Sequence, residues 1–218
     1  MTLPDWSPPH EQKPAPEPLL LVQSFVNTRD FDQGTDLLAE TSEASQWLHQ
    51  AGLLAPETTA GAEDLRAARA ARECIRSLIA RGSGGPALTD DDLRPLRAVI
   101  RASQPRLAID LTGQVVLDSG DQGRLTDGLL GLLLIIRDAQ HDGIWNRLKA
   151  CGNPDCRWVF YDRSHSRRGA WCDMASCGNL IKNRNLRARR GGRTQPAGGA
   201  ARAARQPATS SPGPSSRR

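Results

Sequence analysis

Aromatic residues are scarce in this sequence, at 4% of 218 positions, and methionine occurs only twice. A core must therefore be built mainly from Leu, Ile, Val and Ala. Long apolar runs are lacking too. The most apolar stretch, residues 129–136, is far too short to span a bilayer, so no membrane role is expected. The opening residues, Met1-Thr-Leu-Pro-Asp-Trp6, hold neither a basic segment nor an apolar one after it. No secretory leader is expected, and a cytoplasmic location with reduced thiols is. No glycine-rich phosphate loop follows a strand-like run. The acids of residues 19–143 show no telling spacing, and His49 and His141 stand alone. With no catalytic constellation, an enzyme is not expected.

Cysteine is also sparse, but its placement is not random. Four of the five cysteines fall between 151 and 177. They form Cys151-Gly-Asn-Pro-Asp-Cys156 and Cys172-Asp-Met-Ala-Ser-Cys177, two pairs with the same internal gap. Gly152, Asn153 and Pro154 can turn the first two thiolates toward one point, and the second pair can do so from a turn that opens a helix. Four converging thiolates suit one tetrahedral Zn2+, which has no geometric preference of its own. The alternative is two disulfides. Nothing in the chain points to an oxidising compartment, so a single structural zinc per chain is expected on Cys151, Cys156, Cys172 and Cys177. His165 is a possible alternative ligand, though four thiolates already complete the shell. The fifth cysteine, Cys74, lies in a helical apolar stripe and reads as a small buried hydrophobe.

Cys177-Gly-Asn179 preceded by Trp171-Cys-Asp-Met174, together with Pro154-Asp-Cys156 and Trp158-Val-Phe-Tyr-Asp162, resembles the CGNR zinc-finger proteins of bacteria. Leu21-Val-Gln-Ser-Phe-Val-Asn-Thr-Arg29 resembles the start of the ABATE domain that usually precedes that finger. The resemblance covers about residues 19–190. It implies a stress-induced transcription regulator that binds DNA. Two positions depart from the family pattern. Leu180 stands where the motif has its arginine, and Gly169-Ala170 stands where a basic pair usually precedes the tryptophan, with Arg167 and Arg168 displaced toward the N-terminus.

Charge divides the chain. The net value of +5 combines 16 Lys+Arg against 3 Asp+Glu from Trp145 onward with 13 against 21 before it. A basic end on an acidic body fits a polyanion partner for that end, against the plainer reading of a solvated tail. The organisation expected is a disordered, proline-rich lead over residues 1–18, an ABATE-like regulatory domain over 19–143, a finger with its basic helix over 144–190, and a disordered basic tail over 191–218.

The fold class expected is α+β: a mainly helical N-terminal domain with a small β-hairpin, then a treble-clef-like zinc finger. Periodicity predicts helices over 19–28, 36–51, 63–80, from a Thr89 cap onward, 124–141 and 178–190. The helix over 124–141, apolar all round at its middle, should be the most buried element of the first domain. On the 63–80 helix, five arginines should face away from the apolar stripe. Residues 106–111 and 114–118 flank Thr112-Gly113 as a hairpin, and residues 157–161 read as a strand. Trp158 and Phe160 should share one face over the metal as a miniature core rather than stack on bases.

Asn27 and Arg29 are candidate ligand-binding residues in the family reading. Their alternative and preferred role is to close the first helix. Candidate nucleic-acid contacts are Arg167, Arg168, Lys182, Arg184, Arg187, Arg189 and Arg190. The leading reading is a DNA-binding regulator whose first domain senses a signal, such as a small-molecule effector, or mediates assembly into an oligomer. Its rivals are an adaptor binding RNA or protein through the same finger, and a thiol redox switch.

Overall fold

The computed structural model describes residues 3–8, 10–120 and 123–191, with backbone alone for residues 190 and 191. The tail expected to be disordered therefore lies almost wholly outside the described residues. The chain divides into two units after Lys182.

The first unit is organised around α1 (Leu19–Asn27), eight of whose nine residues are buried. Leu19, Leu20, Val22, Phe25 and Val26 have no exposed surface. A two-residue strand pair, β1 (Arg29–Asp30) with β2 (Thr35–Asp36), follows it. Next come α2 (Thr41–Gln50), α3 (Ala62–Gly82), α4 (Asp90–Ala102), the hairpin β3 (Arg106–Ile109) and β4 (Val115–Asp118), and α5 (Leu125–His141). A short 3-10 turn leads into β5 (Leu148–Ala150), which pairs antiparallel with β6 (Val159–Tyr161). Helix α6 (Asn179–Gly191) ends the described chain.

Local signals explain most of these boundaries. Thr89 caps α4 by accepting the Asp92 N–H at 3.2 Å, while the Asp92 carboxylate accepts the Thr89 N–H at 2.8 Å. This reciprocal box satisfies two otherwise orphaned donors. On α3, Leu65, Ala68, Ala71, Cys74, Ile75 and Ile79 make the buried stripe. α5 crosses the turn after α2 so closely that a side chain at Gly128 would meet the Leu53 carbonyl oxygen at 1.9 Å.

Five expectations are corrected. The most buried helix is α1, not α5, because α1 is covered by α3 and α5 and by β6 as well. The second helix begins at Thr41 rather than residue 36, because Asp36 is held by Arg72 at 2.6 and 2.9 Å. Arg72 and Arg76 do not face away from the core; they are 3% and 1% exposed. Periodicity places Leu93, Leu96, Val99 and Ile100 on the buried face of α4, but Ile100 is 54% exposed.

The fifth correction concerns the lead segment. Residues 10–18 are not disordered but lie along the finger. Tyr161 donates its N–H to the Lys13 carbonyl at 2.9 Å, and the Ala15 N–H goes to Gln23 Oε1 at 2.6 Å. Ala15 is fully buried. Prolines 14, 16 and 18 forbid a helix, but an extended segment still offers its carbonyls to a strand edge that needs partners.

The N-terminal region and the finger share packing. Trp145, Leu148, Val159 and Tyr161 belong to the same buried cluster as Phe25, Ile75 and Leu132. A second, smaller cluster holds Cys151, Cys156, Trp158 and Cys177, with Trp171 and Cys172 packed against it. Alternation along β6 thus sends Trp158 to the cysteines and Val159 and Tyr161 to the main core.

Candidate metal centre and the elements around it

Each pair of cysteines is set by a turn with its own hydrogen bonds. Cys151 follows β5 and donates its N–H to the Trp158 carbonyl at 2.8 Å. The Cys156 and Arg157 N–H groups both reach the Asn153 carbonyl at 3.1 Å. Closing this knuckle places Arg157 at φ 56°, in the left-handed region. The second pair lies across a wide helical turn, Met174–Gly178, that Asp173 caps by accepting the Ser176 N–H at 2.7 Å. The Gly152 N–H to the Ala170 carbonyl, at 2.8 Å, joins the two halves.

The four sulfurs of Cys151, Cys156, Cys172 and Cys177 lie within 4.8 Å of one another. Cys156 and Cys172 are 3.6 Å apart, and Cys172 and Cys177 are 3.8 Å apart. A tetrahedron with Zn–S bonds of about 2.3 Å requires sulfur separations of about 3.8 Å, so the donor set fits zinc. His165 is exposed and stands outside the group.

The thiols also need a cation electrostatically. Cys151 accepts hydrogen bonds from Cys156 and Cys172, which hold it far below an ordinary thiol, and the same contacts push Cys156 and Cys172 upward. Four sulfurs in contact cannot all ionise unless a divalent ion neutralises them. The site is a structural centre for one zinc: its four protein ligands leave no open position for an activated water. Beyond the ligands, the Asn153 amide approaches Cys177 Sγ at 3.5 Å, a donor that stabilises thiolate charge.

The centre is not sealed. A cavity of about 460 Å³ is lined by Cys156, Cys172, Cys177, His10, Asp30 and Trp158. The His10 ring lies 4.7 Å from that of Trp158, and its Nε2 is 3.3 Å from Asp30.

A family model for the CGNR zinc finger matches residues 147–190. A second, for the ABATE domain, described as "putative stress-induced transcription regulator", matches residues 20–141, more than half of the chain. The chain belongs to the ABATE family. Its two modules occur in the order that the residues suggested. Among curated proteins, no significant match is found. No helix among the described residues is long and apolar enough to cross a membrane.

Within this ABATE–CGNR chain, side chains from the first module grip the second. Asn27, one of the two ligand candidates, is 3% exposed. Its amide is engaged by Val159 and Glu11. The helix end is closed instead by Thr28, whose hydroxyl donates to the Phe25 carbonyl at 2.8 Å. Arg29 lies 3.7 Å from Asp36, with its guanidinium 5.4 Å from the Phe31 ring centre. Neither residue lines the cavity beside the thiols.

Sequence reasoning missed three residues that organise this junction. Arg76 donates to the carbonyl of Arg157 at 2.9 Å and to that of Val26 at 2.7 Å, so it ties the knuckle to the end of α1. Burial and its cationic neighbours, against the pull of Glu73, lower its pKa to about 10. Gln23 donates to the Lys13 and Val159 carbonyls. Glu11 accepts from the Trp158 indole at 3.1 Å and from Asn27 at 3.3 Å. Arg72 and Arg76, four apart beside an apolar stripe, were the available signal; Gln23 and Asn27, at the same spacing on α1, were another.

The candidate nucleic-acid residues are placed as follows. Arg167 and Arg168 are exposed, on the loop between the cysteine pairs. The loop is held by Asp162, which accepts the Ser164 N–H at 3.0 Å and the Gly169 N–H at 2.7 Å. Burial works against the charge of Asp162, but these bonds and Lys149 outweigh it and keep the carboxyl below its usual range. A side chain at Gly169 would meet that carboxylate at 2.9 Å. Lys182, Arg184, Arg187 and Arg189 are exposed on α6, and Leu180 is 52% exposed. The Arg190 side chain lies outside the described residues.

Proposed function

We propose that this protein is a DNA-binding transcription regulator. Its zinc centre holds the finger in shape, and the basic residues of the loop and of α6 contact the phosphate backbone. The observation that carries the reading is the sequence of exposed cations, Lys182, Arg184, Arg187 and Arg189, directly after the last thiol ligand. Lys and Arg on one short helix are the electrostatic footprint of a polyanion partner. With Leu180 in the arginine position, contacts shift to Lys182 and Arg184, and Arg167 and Arg168 reach a neighbouring phosphate. The Asn183 and Asn185 amides are available to base edges, whereas the Asn179 amide donates to the Ala175 carbonyl at 3.1 Å. The ABATE-like region receives a signal or mediates assembly, and its grip on the finger through Asn27 and Arg76 gives a signal a physical route. The test is selection of genomic fragments by the purified zinc-loaded protein, followed by sequencing. A shared duplex motif supports the reading. Equal or better retention of RNA, or no enrichment, overturns it in favour of the adaptor.

One observation favours a second role. Cys172 is only partly buried and borders the open cavity. Peroxide entering there can take two electrons from Cys156 and Cys172, which form a disulfide as the peroxide leaves as water and zinc is released. A peroxide titration that releases no zinc contradicts this role.

A further inference from the structure

Among the described residues of the first module, the exposed large apolar side chains gather on the β3–β4 hairpin, with Ile100 of α4 the exception. Every residue of β4 is exposed, and β3 is partly covered only at Ala108. The register pairs Leu107 with Leu117 and Ile109 with Val115, so these four side chains share one face. Leu107, Ile109 and Val115 are 76%, 73% and 68% exposed. A lone two-stranded hairpin is marginal in water, and a third strand normally stabilises it.

The free edge of β3 dictates which strand would fit. The Asp110 N–H donates to the Gln114 carbonyl at 3.0 Å, which makes that pair hydrogen-bonded within the hairpin. By alternation, Ala108 and Arg106 also direct their backbone groups toward β4, while Leu107 and Ile109 direct theirs outward. The edge reads Arg106-Leu-Ala-Ile-Asp110, which is complementary to itself when reversed. In an antiparallel pair centred on Ala108, Leu107 exchanges two hydrogen bonds with Ile109 of the other copy. Arg106 then faces Asp110 of the other copy, and the small Ala108 sits at the closest approach. Other centres of the same parity fit worse. Centring on Leu107 sets Pro105, which has no N–H, opposite Ile109, and centring on Ile109 separates Arg106 from Asp110.

We infer that β3 is a self-association surface whose partner is a second copy of this chain, joined by antiparallel β3–β3 pairing about Ala108. The product is a four-stranded sheet in which each Arg106 lies between Asp118 of its own hairpin and Asp110 of the other. The interface gives the assembly role of the first module a location. It rests on the hairpin and does not depend on DNA binding.

Sedimentation of the full zinc-loaded chain without DNA tests it. The expected mass rises with concentration from 23.7 kDa toward twice that value. Ile109→Pro removes an outward N–H and none within the hairpin, so it should weaken association at least tenfold while zinc content and helical signal stay unchanged. Ala108→Cys should yield a disulfide-linked dimer on a non-reducing gel. Leu111→Cys should not, because its two copies would lie about 20 Å apart along the strand direction. A mass fixed at 23.7 kDa at every concentration overturns the inference. So does association that is unchanged in Ile109→Pro with equal cross-linking at 108 and 111. Either failure leaves the DNA-binding reading standing, since no DNA is present.

Discussion

The side-chain amide of Asn27 pairs with the backbone of Val159 as a neighbouring strand would. Its Oδ1 accepts the Val159 N–H at 2.9 Å, and its Nδ2 donates to the Val159 carbonyl at 2.8 Å. One residue at the end of α1 thereby satisfies both backbone groups of a fully buried position in the finger. Asn27→Ala orphans the Val159 N–H and leaves the carbonyl only the longer bond from Gln23 at 3.3 Å. A buried unsatisfied group costs about 1–3 kcal/mol, so a loss of about that size is expected in urea unfolding. A loss below about 0.5 kcal/mol would show that water replaces the amide freely.

Arg76 should matter comparably, for a different reason. Its guanidinium satisfies the Val26 and Arg157 carbonyls and pairs with Glu73 at 3.2 Å. Arg76→Leu leaves these two carbonyls without their donor, which costs about 1–3 kcal/mol for each buried acceptor left unsatisfied. Because Arg157 follows the ligand Cys156, the variant should also surrender zinc to a competing chelator more readily. Unchanged zinc retention would separate the arginine from the metal site.

Zinc should stabilise more than the finger. Structural zinc contributes roughly 10 kcal/mol or more to small metal modules at neutral pH. Since Val159 and Tyr161 share a core with α1 and α3, Cys156→Ser should lower the stability of the N-terminal helices as well. Circular dichroism and Trp fluorescence should then report one coincident unfolding transition in the native protein. Two well-separated transitions would mean that the modules fold independently.

Glu11 gives the junction a pH dependence. Burial raises its carboxyl above the ordinary value near 4.5, despite hydrogen bonds from Lys13, Trp158 and Asn27. The folded state therefore holds its proton more tightly than the unfolded one. The contribution of Glu11 to stability is full below about 4.5 and is lost as pH rises through the folded value. Asp36 and Asp162 behave oppositely and below this window: their carboxyls are lowered from 3.8, and their contributions are lost only as pH falls through the folded values. Carbon-13 NMR of Glu11 should show a midpoint above 4.5; a midpoint at or below it contradicts the burial argument.

The thiol site and the helices were legible because each rests on a periodic signal: repeated Cys spacing for one, apolar stripes and the Thr89 box for the other. The junction was not. Periodicity assigns Arg72 and Arg76 to solvent because it scores them as charged, yet both lie where backbone carbonyls need donors. The lead segment carries no periodicity at all. Its prolines exclude a helix without revealing that the carbonyls of Lys13 and Pro14 serve Tyr161 and Arg163. Gln23 reads as an ordinary helix residue and Asn27 as a ligand candidate or helix cap, because the strand they serve is over 130 positions away.

Salt dependence measures most directly whether the basic helix binds duplex DNA through phosphates. With about five phosphate contacts, log Kd should change with log salt so that affinity falls with a slope of about −4 to −5. A chain ending at Arg190 excludes the arginines of the tail. In that chain, Arg184→Ala with Arg187→Ala should reduce the slope by about two units with zinc retained. No binding at low salt, or a double substitution that leaves affinity and slope unchanged, would contradict the account.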